Sequence, residues 1–146
     1  MSDEQNDEMR LREALAERPR DSRLNRDLSQ LLDGKGEQGE AVLASLKSLE
    51  PNPTAPAMLL PAVRILERAG LRRLATTLAE NVPADSPAHG KLNLTLARLH
   101  AKLGAFDRAT TYLSQAEADD GASERTANIR ELIEKRREKS AGREAR

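Results

Sequence analysis

Apolar residues recur along this chain at steps of three and four. Leu24, Leu28 and Leu31 form one such stripe, Met58, Ala62 and Ile65 a second, and Leu92, Leu96 and Leu99 a third. That spacing places the members of each set on one face of an α-helix, with polar residues on the other. The three stripes are the same stripe repeated, because each member stands 34 residues from its equivalent. Gly36, Gly70 and Gly104 keep the same 34-residue interval, as do Ala41, Ala75 and Ala109, and Pro19, Pro53 and Pro87. A glycine after each stripe predicts the end of a helix, since it takes the left-handed backbone that a C-terminal cap requires. An alanine early in the following helix lets two helices approach closely. A proline then closes the unit, because it disfavours helix in the residue before it and can start the next one.

A helix pair of 34 residues with glycine, alanine and proline at these places resembles the tetratricopeptide repeat. The resemblance covers residues 22–55, 56–89 and 90–123, with half a unit at 9–21 that looks like a second helix lacking its first. It implies an all-α, right-handed superhelical α-solenoid of antiparallel helix pairs, in a single domain over 9–139. Ser123 predicts an N-cap for a last helix over 123–139, whose Ile129, Leu132 and Ile133 would seal the open end of the stack. Residues 1–8, with four acids, and the basic stretch 140–146 have little apolar surface to bury and are expected to be disordered tails. Pro61 conflicts locally with a helix that starts near Pro56: it predicts either a late start or a bend.

Composition narrows the function. The chain has no cysteine, so disulfides and thiolate metal sites are excluded. Net charge is zero, which removes the whole-chain argument for nucleic acid. The polar, acidic start is unlike a secretory signal and no apolar run could span a bilayer, so a cytoplasmic protein without membrane insertion is expected. The two histidines, His89 and His100, stand apart from any nucleophile at useful spacing, and His100 falls on a packing stripe. Gly34-Lys35-Gly36 lacks the spacing of a phosphate-binding loop. No enzymatic activity and no cofactor are expected.

The positive expectation is binding. In a stack of such pairs the first helices line a concave groove. Helix phase puts Arg23, Arg26, Gln30 and Asp33 there from the first unit, with Leu60, Arg64, Glu67 and Arg68 from the second. The third unit supplies Lys91, Leu94, Arg98 and Lys102. Seven cations against two acids make that face basic in a chain that is neutral overall. Arg64 and Arg98 are repeat equivalents, each one turn after a leucine, Leu60 and Leu94. The expected partner is therefore a protein or an acidic, partly apolar peptide whose carboxylates the arginine forks would read. A carboxylate clamp of the kind some members of this family carry is not expected, because Pro61 and Thr95 occupy two of its positions. The alternative is a homo-oligomer built from the exposed helices at the two ends.

Overall fold

The structure, a computed structural model, describes residues 2–83 and 87–144. Among these the chain forms nine helices and no strand: α1 Asp3–Glu17, α2 Ser22–Gly34, α3 Gln38–Leu49, α4 Pro56–Arg68, α5 Arg72–Glu80, α6 Pro87–Lys91, α7 Asn93–Lys102, α8 Phe106–Asp120 and α9 Glu124–Glu144. They group into two compact units, Met1–Asn81 and Val82–Arg146.

The glycines do what their spacing predicts. Gly36, Gly70 and Gly104 have φ of +80°, +82° and +83°. Each forms the same cap. Gly36, Gly70 and Gly104 N–H groups donate to the carbonyls of Asp33, Glu67 and Ala101, and the next residues' N–H groups reach Leu32, Leu66 and His100. Two carbonyls that would end each helix unpaired are thereby satisfied. Around Gly70 there is open space for a Cβ, so only backbone strain opposes a side chain there. Gly70→Ala is expected to destabilise by about 1–2 kcal/mol. Gly34→Ala, inside α2 and equally unobstructed, should stabilise by about 0.5–1 kcal/mol. Thermal melts of the two variants should shift in opposite directions.

In the first unit α2 packs on both α1 and α3, and α4 packs on α2, α3 and α5. Its core joins Leu28, Leu32, Ala41 and Ile65, with Leu11, Leu15 and Val42 packed against them. Ala41, Ala75 and Ala109 are each 0% exposed, so the repeated methyl group marks a helix contact in every pair. Ala75→Leu is expected to cost about 1–3 kcal/mol by overpacking. Ala57→Leu, on an exposed position of α4, should leave the urea midpoint nearly unchanged.

Two expected features differ. The acidic residues 3–8 are helical, because Ser2 and Gln5 form a reciprocal capping box and Lys35 anchors Glu8 (Nζ to Oε1, 2.9 Å). That hydrogen bond, with the nearby Arg12 charge, holds the Glu8 carboxyl below its usual range. Pro61 neither delays nor ends α4, which starts at Pro56 and runs through it. The proline sits in the second turn, where its missing N–H leaves only the carbonyl of Ala57, an exposed residue, without a helical donor.

In the second unit α7 packs on α8, and both pack on α9. The turn at Leu92 separates the short α6 from α7. Ala97, Ala101, Ala109 and Leu113 meet Ile129 and Ile133 of α9, so α9 covers an apolar side of this pair. Ser123 caps it, with Thr126 N–H donating to Ser123 Oγ (3.4 Å) and Ser123 N–H to Thr126 Oγ1 (2.8 Å). The helix continues past Lys139 to Glu144, taking up residues 140–144 of the expected tail, while residues 145–146 lie outside the described residues.

Candidate functional site

The expected binding residues fall into two sets, one in each unit. In the first, α2 and α4 lie side by side, tied at one end by an ion pair between Arg68 Nη1 and Asp33 Oδ2. Gln38 also donates to the Arg68 carbonyl (3.5 Å). Arg68 is thus committed to holding two repeats together. Arg26 is half-buried and bonds Asp27 Oδ1 through both Nε (3.1 Å) and Nη2 (3.0 Å), which neutralises it locally. Arg23, Gln30 and Arg64 are exposed, and Leu60 is half-buried. Among the described residues neither Arg23 nor Arg64 has an ion-pair partner. The basic character of this face therefore rests on two arginines, fewer than the sequence count implies.

In the second unit Lys91 is exposed at the end of α6, while Arg98 and Lys102 are half-buried on α7. Leu94 packs against the core of Ala97, Ala101 and their neighbours, so it contributes more to the fold than to an open surface. Lys102 stands beside α9, where Arg136 Nη1 donates to its carbonyl (3.4 Å). Arg64 and Arg98 belong to different units.

A concavity that the apolar stripes do not predict lies in the first unit. A cleft of about 400 Å³ opens over α2 between α1 and α3, floored by Leu28 and Leu32 and walled by Leu15 and Leu43. The Arg12–Glu40 ion pair (3.0 Å) crosses between α1 and α3 at its rim. Leu43 is 61% exposed, a large apolar side chain left partly in water. Its repeat equivalents are Thr77 and Thr111, so the departure was visible in the sequence, though the cleft beside it was not.

The two histidines sit in different surroundings. His100 is buried and stacks on Tyr112 with ring centroids 5.4 Å apart and planes 8° from parallel, which is a packing arrangement. His89 is exposed in α6. Among the described residues no group of His, Cys, Asp and Glu is placed to hold a metal ion, and no helix is long and apolar enough to cross a membrane.

No protein-family profile matches the sequence, and no curated protein matches it. The fold does match solved structures. A tetratricopeptide repeat protein from Parabacteroides merdae superposes with a TM-score of 0.78 at 17% identity, over 90% of this chain and 53% of that one. This chain thus spans about half the length of that protein. MamA superposes with a TM-score of 0.64 at 12% identity, over 90% of this chain and 87% of its own. At these identities the likeness is one of fold, and the fold is the all-α tetratricopeptide-repeat type that the 34-residue period implies.

Proposed function

We propose that this chain is a non-catalytic, cytoplasmic interaction scaffold that holds a partner protein or an acidic peptide against the outward faces of its first helices. The observation that carries this reading is the pair of exposed arginines, Arg23 on α2 and Arg64 on α4, on helices that pack side by side. Leu60, half-buried one turn before Arg64, adds an apolar contact. Arg98 and Lys91 repeat the basic character in the repeat 90–123. A tetratricopeptide-type fold supports the class of function, since repeat solenoids recognise partners on extended surfaces.

An exposed arginine is the donor best shaped for a carboxylate, because its planar fork gives two parallel hydrogen bonds. A short peptide of alternating acids and leucine, fluorescently labelled, tests the idea against the same peptide with lysines in place of the acids. The acidic peptide should bind, and binding should weaken as salt rises. Equal binding of both peptides, or of neither, would remove the basic face as the site.

A further inference from the structure

The turn between α7 and α8 lies against the second half of α9. A cleft of about 430 Å³ opens there, lined by Lys102, Arg136, Lys139 and Arg143 around the apolar Leu103 and Phe106, and none of its lining residues is acidic. The nearest acid on the turn is Asp107, and it faces Arg137 (3.6 Å), whose guanidinium also lies over the Phe106 ring at 5.6 Å. That carboxylate is thus engaged with an arginine outside the cleft. Helix α8 begins here, and no side chain caps its first N–H groups, so its positive end adds to the same field. Arg136, Lys139 and Arg143 of α9 repel one another round one small concavity, and an anion seated among them relieves that repulsion. Leu103, 38% exposed, offers an apolar contact at the centre of the cations.

The chain itself carries the complement. Its first helix opens with Asp3, Glu4 and Asp7, all exposed, and among the described residues none of the three has an ion-pair partner. Met9, 47% exposed, follows them as a large unburied apolar side chain. Beyond it Arg10 and Arg12 balance Glu13 and Glu17, so the net acidic charge of the helix lies in its first two turns. We propose that the cationic cleft between the α7–α8 turn and α9 receives the acidic start of α1 from a second copy of this chain, with Met9 against Leu103 and Phe106. The two surfaces differ, so the contact is heterologous and joins copies head to tail rather than as a twofold pair.

Sedimentation of the full chain at rising concentration tests this. The mean mass should climb with concentration in about 50 mM salt and fall back toward the monomer in about 500 mM salt. Lys139→Glu with Arg143→Glu should weaken association by about tenfold or more, and so should Asp3→Lys with Asp7→Lys. Mixing the two variants should restore association, because each retains the native half that the other has lost. A chain carrying all four substitutions should also associate again, its charges exchanged but complementary. All four residues are exposed, and an unchanged helical spectrum accompanies each sample as the folding control. A wild-type chain that stays monomeric at every concentration overturns the proposal. So does self-association that neither variant weakens, or two weakened variants that fail to recover on mixing.

Discussion

Charge reversal at both Arg64 and Arg98 is expected to abolish capture of an acidic partner while leaving the helical spectrum almost unchanged. Arg64 is exposed and has no ion-pair partner among the described residues, so its reversal removes nothing that the fold uses. Truncation of an arginine that pairs with a carboxylate in a desolvated contact costs roughly 2 kcal/mol or more, about thirtyfold in Kd. Reversal adds repulsion to that loss, so each substitution should exceed the truncation figure. If the two contacts are independent, their effects add, to roughly a thousandfold or more. Arg98 is half-buried, so its single variant should be melted separately from the double one. Arg26→Glu supplies the contrast: its guanidinium already serves Asp27, and its reversal should weaken binding less than that of Arg64. Titration of the labelled acidic peptide against the wild type, the two single variants, the double variant and Arg26→Glu reads all of this. Undiminished affinity in the double variant would mean that these arginines are solvated surface and that the partner binds elsewhere.

The largest effect on stability is expected from Leu32→Ala. Leu32 is 1% exposed and stands where α1, α2, α3 and α4 meet, with Leu28, Ala41 and Ile65 in its cluster and Leu11 and Leu15 against it. Its truncation removes transfer free energy and leaves a void that several helices would have to collapse to fill. Such substitutions cost about 2–5 kcal/mol, a large part of the stability of a domain this size. Leu43→Ala makes the same chemical change at a side chain 61% exposed, and it should cost far less. Urea denaturation followed by circular dichroism separates the two. The comparison also probes the cleft between α1 and α3, because Leu43→Ala strips one of its walls without touching its floor.

Much of the fold is legible in the sequence because the relevant chemistry is local. A glycine that must take φ near +80° ends a helix whatever surrounds it, and the three that do so here stand at one interval. The alanines at 0% exposure were marked by the same interval, since a close helix crossing tolerates only a small side chain. Ser123 and Thr126 fix the start of α9 through groups three residues apart. What only the tertiary structure decided is which charges are spent. Arg68 and Arg64 look alike as letters, yet Arg68 pairs with Asp33, 35 residues away, and Arg64 has no ion pair among the described residues. Lys35 reaches back to Glu8 across two helices and turns an apparently loose acidic segment into the start of α1. The four cations of the C-terminal cleft come from α7 and from α9, distant stretches of chain that only packing brings together. Helix period and capping are set by neighbours in sequence, whereas the partner of a long charged side chain is set by neighbours in space.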